Sequence, residues 1–91
     1  MKIFYTDYLI RRMELRRIPY NIPKNIIENS QEKYYDNETG RFVKIGKAKI
    51  RNINVLLAIF YEETEDGITV VTAHTISRQQ INLRIKNQRW V

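Results

Sequence analysis

The chain has 91 residues and contains no cysteine, one histidine, two prolines and three glycines. The absence of cysteine excludes a disulfide framework and any thiolate metal site. A zinc site would have to be built from His74 and carboxylates alone, which is not a donor set that structural zinc sites use. We therefore expect neither a metal nor another cofactor. The best apolar run, residues 55–61, is far shorter than the roughly 20 residues that span a membrane.

No repeat, low-complexity tract or linker divides the chain, so we expect a single domain over residues 1–91. The first seven residues, Met1 to Asp7, lack the apolar stretch and small-residue cleavage site of a signal peptide. Together with the absence of a membrane-spanning run, this start predicts a cytoplasmic protein.

Positive charge is the most informative bulk property of the sequence. The formal net charge is +6, from 16 lysines and arginines against 10 acidic residues. Four of the acids crowd into residues 62–66, which leaves 16 cations against 6 acids elsewhere. Such an excess attracts phosphates and favours a polyanion partner, with RNA as the first choice. The alternative is that the charge serves general solubility.

Periodicity and capping residues predict three helices, over residues 6–17, 23–29 and 78–88. Thr6 or Asp7 can cap the first helix. The third has the clearest start, because Ser77 and Gln80 have the spacing of a capping box. Its apolar positions Ile81 and Ile85 are expected to pack on the sheet.

Four strands are predicted between the second and third helices, over residues 33–35, 41–50, 53–62 and 68–75. The third of them is apolar on both faces, as in a strand covered on both sides. Gly46, inside the second, indicates a bulge or a close backbone approach. Short loops join the strands and favour an antiparallel meander. The expected fold class is α+β, with N-terminal helices, a four-stranded antiparallel β-meander and a C-terminal helix.

Four segments carry a resemblance to a known family: the Arg-rich residues 6–18, YDNETGRFV at 35–43, ITVVTAH at 68–74 and QINLRIKNQRW at 80–90. Over nearly the whole chain they resemble the RelE/BrnT-like small toxins. The resemblance implies a RelE-like domain, RNA binding and metal-independent RNA cleavage as an endoribonuclease toxin of a toxin–antitoxin pair. It also implies an acidic antitoxin as partner. Related sequences carry a histidine early in the first helix, where this chain has Tyr8, a poor base at neutral pH.

Three residues are the candidates for catalysis: His74, Arg78 and Arg84. An ordinary histidine pKa of about 6.5 suits acid–base work, and alternation along the last strand places His74 on the face of Ile68 and Val70. The planar guanidinium groups of Arg78 and Arg84 suit phosphate oxygens. The alternatives are a histidine bonded to a loop carbonyl and a solvated helix edge.

Five further cations are candidates for nucleic-acid binding: Arg12, Arg16, Lys44, Lys47 and Arg89. The arginines of the first helix could instead form surface ion pairs, which contribute only about 0–1 kcal/mol. The strand lysines could instead prevent edge-to-edge aggregation. Two other functions therefore stay open beside the nuclease: a non-catalytic nucleic-acid-binding module, and a structural or protein-interaction homodimer formed through a sheet edge.

Overall fold

Three helices and five strands make up residues 2–91, the part of the chain that the computed structural model describes. The elements in chain order are β1 (Lys2–Tyr5), α1 (Asp7–Arg16), α2 (Ile22–Asn29), β2 (Glu32–Asp36), β3 (Arg41–Ile50), β4 (Ile53–Thr64), β5 (Gly67–Ile76) and α3 (Arg78–Lys86). The α+β class expected from the sequence is confirmed.

The sheet has five strands and is mixed, which corrects the four-stranded antiparallel sheet expected from the sequence. The strand order is β1-β5-β4-β3-β2, and β2 to β5 pair antiparallel with their neighbours. The additional strand β1 pairs parallel with β5, with Lys2 opposite Gly67 and Tyr5 opposite Val70. A four-residue strand has too little alternation to be recognised from sequence, and its partner lies near the other end of the chain.

Helices cover the sheet on both faces. On one face α1 and α2 bury Leu9, Met13, Ile26 and Ile27 against the sheet. On the other face α3 buries Ile81 in a second core, which also contains the C-terminal Trp90. The middle of β4 is buried toward both cores, as its continuous apolar sequence predicts.

The approach of α2 to β3 depends on Gly46. A Cβ atom at this position would lie 2.5 Å from Cγ1 of Ile26, so only glycine lets the helix pack this closely. Of the two expectations for Gly46, the close approach is confirmed. Ser30 fixes the same junction, because its hydroxyl donates to the carbonyl of Ile45.

Local capping sets the helix boundaries. The Thr6 hydroxyl accepts from the amide of Leu9 at 3.1 Å and begins α1. Ser77 and Gln80 form the predicted capping box, with distances of 3.1 and 2.9 Å. The helix α3 ends at Lys86, two residues before the predicted end. Ile81 is buried as expected, whereas Ile85 is 41% exposed.

The C-terminal residues 89–91 lie along the outer edge of β2. The amide of Tyr35 donates to the Val91 carbonyl at 2.8 Å, and the Val91 amide donates back at 3.0 Å. The side chain of Trp90, the residue before Val91, is fully buried. This edge of the sheet is therefore covered, whereas the opposite, outer edge of β5 beyond Val70 is paired with no strand within residues 2–91.

None of the helices within residues 2–91 is long and apolar enough to cross a membrane.

Candidate functional site

A bulge between β4 and β5 determines where His74 lies. Phe60 is opposite Thr72 while Tyr61 is opposite Val70, so Val71 is an extra residue on β5. Such an extra residue reverses the alternation of every residue that follows it. His74 is therefore opposite Ala58, and its ring lies 5.3 Å from that of Phe60, in the core under α3. The expectation that His74 shares the face of Ile68 and Val70 is wrong for this reason.

The surroundings of His74 favour a neutral imidazole with a defined tautomer. Burial is the main cause that lowers its pKa from the usual value, the hydrogen bond to Thr75 partly offsets this, and the charges of Arg84, Arg16 and Arg89 lower it further. The Nδ1 atom lies 3.0 Å from the Thr75 carbonyl. Because a carbonyl can only accept, Nδ1 carries the hydrogen, and the neutral ring has its basic lone pair on Nε2.

Arg84 reaches the same region from α3. Its guanidinium carbon lies 4.9 Å from the ring centroid of Trp90. Its Nη1 atom is buried and has no hydrogen-bond partner within residues 2–91. Burial lowers the pKa of Arg84, but an arginine remains charged in proteins. A buried cationic N–H group without an acceptor is costly, and the oxygen of a bound anion would remove that cost.

Arg16 approaches His74 from the opposite side of the sheet. Its Nη1 atom donates to the carbonyl of Ala73 at 2.8 Å, on the edge of β5 that β1 leaves uncovered. Arg12 points elsewhere, since its Nε donates to the Tyr8 hydroxyl at 2.9 Å. Arg16 and Arg84 therefore flank His74 from α1 and α3. We call His74, Arg84 and Arg16 the β5-edge site.

A groove of about 450 Å³ opens beside the β5-edge site, and its wall includes Arg51. Arg51 was not among the site residues predicted from the sequence. Arg51 and Asn52 form the two-residue turn between β3 and β4, with φ of 52° and 62°. Turns of this kind favour Asn and Gly, so an arginine at the first position is conformationally unfavourable. An arginine at this turn position was the sequence signal that could have identified Arg51 as a site residue.

Three predicted site residues are instead held by internal contacts. Arg78 makes a two-pronged ion pair with Glu32, at 2.5 and 3.1 Å, on the far side of α3. The ammonium group of Lys44 donates to the carbonyl of Ile27 at 2.7 Å and so satisfies the end of α2. The structure therefore brings neither to His74. Lys47 is exposed and lies on the face of β3 opposite to Lys44.

Arg89 is the third of these residues and is bound to the turn after β2. It contacts both carboxylate oxygens of the fully buried Asp36, at 3.3 and 3.5 Å, and Glu38 at 3.2 Å. Burial alone would raise the pKa of Asp36, but hydrogen bonds from Arg89, from the Glu38 amide and from Thr39 together lower it. Arg89 thus compensates a buried negative charge.

Aromatic side chains that could stack on bases divide between the core and the surface. Tyr34 stacks on Trp90 with ring centroids 5.5 Å apart, and Tyr61 stacks on Phe42 at 5.7 Å. Tyr61 is 1% exposed and is a core residue. Tyr35 is 38% exposed and could still contact a base.

Comparisons of the chain with protein-family models, with curated proteins and with solved structures find no match. Within residues 2–91, no group of three or more His, Asp or Glu side chains is placed to hold a metal ion. The chemistry of the β5-edge site is thus argued from its own residues.

The lowered pKa of His74 predicts a pH-dependent stability. In the unfolded chain the imidazole has its ordinary pKa of about 6.5 and binds a proton more readily than in the folded chain. The free energy of unfolding should therefore decrease as the pH is lowered through about 6.5 toward the folded pKa. We expect the melting temperature to fall over this window, and to fall less in His74→Gln. Identical pH profiles for the two proteins would contradict this prediction.

Proposed function

We propose that the chain is a RelE/BrnT-like protein that binds RNA at the β5-edge site and cleaves it without a metal. The observation that carries the proposal is the positive charge beside the half-buried His74, where Arg84 has a buried Nη1 without an acceptor among the described residues. Because Nη1 itself is closed off from solvent, a phosphate group would meet the partly exposed remainder of the Arg84 guanidinium group. Arg16, on the uncovered edge of β5, adds a second cation to the same region.

The proposed reaction is an attack by the neighbouring 2′-hydroxyl on the phosphate. Nε2 of neutral His74 takes the 2′-hydroxyl proton while the 2′-oxygen forms a bond to phosphorus. The bond from phosphorus to the 5′-oxygen breaks, and this oxygen takes a proton from the imidazolium or from water. The products are a 2′,3′-cyclic phosphate and a 5′-hydroxyl. Arg84 stabilises the charge that develops on the non-bridging oxygens.

Arg78 and Arg89 have different roles in this proposal from those that the sequence suggested. Their carboxylate partners, Glu32 and Asp36, already satisfy them. Phosphate contact is assigned to Arg84 and Arg16. Arg51 lies on the wall of the groove that Arg16 also lines. An acidic antitoxin is the natural protein partner for these cations, because opposite charges would steer it to the site.

A non-catalytic nucleic-acid-binding module is the second candidate. The groove beside His74 has two arginines in its wall but, among the described residues, no aspartate, glutamate, lysine or tyrosine that could act as a second acid. A binding protein needs only the cations, whereas a nuclease must use His74 or water to protonate the leaving oxygen. The third alternative, a homodimer formed through the sheet edge, predicts no RNA affinity at physiological salt.

The deciding experiment measures binding of the purified protein to labelled single-stranded RNA over a salt series, with EDTA present. We expect affinity to fall steeply with salt, and the salt slope to decrease by about 1 in Arg84→Ala or Arg16→Ala. Arg41→Ala is the matched control, because it removes one cation that is paired with Glu62 at the other end of β3. No binding at about 0.15 M salt would overturn the proposal. Binding without fragments would favour the non-catalytic module.

A further inference from the structure

Three hollows follow one another along the end of the sheet that carries His74. The first is the groove of about 450 Å³ beside the β5-edge site. The second, of about 490 Å³, shares Val55 and Thr75 with the first. The third, of about 520 Å³, shares Leu56 with the second. Because neighbouring hollows share wall residues, they lie next to one another along a line from the edge of β5 to α2, which we call the groove.

The far end of this groove has the composition of a site for a flat heterocycle. Its wall includes the apolar side chains of Ile26 and Leu56, which belong to the cores on the two faces of the sheet. The wall also includes three exposed residues with amide side chains, Asn25, Asn29 and Gln31, and the Asn29 amide donates to the Asn25 carbonyl at 2.9 Å. Ligand sites typically combine an apolar floor with a few polar groups in a hollow of about 300–1,000 Å³. We call this third hollow the amide pocket.

One cation of the amide pocket is free to meet a phosphate. Lys47 and Arg78 belong to its wall, but Arg78 is paired with Glu32, which is the only acid among the described residues of this wall. The middle hollow is lined by uncharged polar side chains, among them Asn54, Ser77 and Gln80. A phosphodiester chain would meet arginines at the β5 edge, polar neutral groups next, and Lys47 at the amide pocket.

We propose that single-stranded RNA bound at the β5-edge site continues along this groove and places an adenine base in the amide pocket. This inference rests on the proposed function and adds a site of base preference to it. The strands β5 and β2 are three strand spacings apart, about 14 Å, so the base recognised is not adjacent to the phosphate at His74. Asparagine and glutamine amides pair with the N6 and N7 atoms of adenine, and an apolar wall residue such as Leu56 can contact the plane of the base.

The test compares a labelled hexamer of adenylate with a hexamer of uridylate. We expect the protein to bind the adenylate hexamer about tenfold more tightly. The double variant Asn25→Ala, Asn29→Ala should remove this preference while keeping the uridylate affinity. Both side chains are exposed on α2, and circular dichroism checks that the variant is folded. Lys24→Ala is the control, since Lys24 is an exposed residue of α2 outside the amide pocket.

The outcomes separate the two proposals. Equal affinity for both hexamers, with binding still weakened by Arg84→Ala, would overturn the amide pocket and leave the β5-edge site intact. A preference that survives in the double variant would also overturn it. Binding of neither hexamer would overturn both the amide pocket and the proposed function.

Discussion

Alanine in place of His74 is expected to slow RNA cleavage by about 100- to 10,000-fold, which is the usual contribution of a general base. The affinity for RNA should change little, because the neutral imidazole contributes no charge to binding. The rate is measured at saturating protein in EDTA, and the affinity is measured with an RNA whose 2′-hydroxyl at the cleavage site is replaced by hydrogen. The expected result is a loss of rate without a loss of binding.

Two further variants make the test of His74 specific. Arg84→Ala should lower both rate and affinity, because in the proposed mechanism Arg84 contacts the phosphate in the ground state and in the transition state. Gln79→Ala, at an exposed position of α3, should change neither.

The cleavage rate of the unmodified protein should decrease only when the pH falls below the depressed pKa of His74. Unaltered cleavage in His74→Ala would remove His74 from the mechanism.

Elements with local signals were predictable from the sequence. The capping box at Ser77 and Gln80 fixed the start of α3, and the bounds of β3 were predicted without error. The strand β1 was not predictable, because it is defined by a parallel pairing with β5, near the other end of the chain. The pairing of residues 89–91 with β2 is of the same kind, since it joins segments far apart in sequence. Non-local pairings leave no periodicity in the shorter partner.

The candidate site was predictable in composition but not in arrangement. His74 and Arg84 were identified as chemically suitable, and the structure places His74 under α3 and Arg84 on α3 itself. The sheet face on which His74 lies could not be predicted from alternation, because the bulge at Val71 depends on the pairing of β5 with β4. The ion pair of Arg78 with Glu32 joins residues 46 positions apart and is equally invisible in the sequence. Arg51 was missed because its position on the groove wall depends on the conformation of the turn.

Trp90→Ala should be the most destabilising single substitution considered for this chain, with a loss of about 3–5 kcal/mol. Trp90 is fully buried, stacks on Tyr34 and contacts Phe60 edge-on, with ring centroids 6.1 Å apart. A domain of this size has a free energy of unfolding of about 5–15 kcal/mol, so the variant would be close to unfolding at 37 °C. Urea titration measures the loss.

Val91→Ala is the matched control for Trp90→Ala. It shortens a side chain that is 65% exposed and keeps the backbone hydrogen bonds to Tyr35, so it should cost less than about 0.5 kcal/mol. A loss below about 1 kcal/mol for Trp90→Ala would mean that the C-terminal residues do not complete the core.

Trp90→Phe keeps an aromatic ring under Arg84 and should retain RNA affinity in the folded fraction. The two substitutions thereby separate the packing role of Trp90 from its role in positioning Arg84.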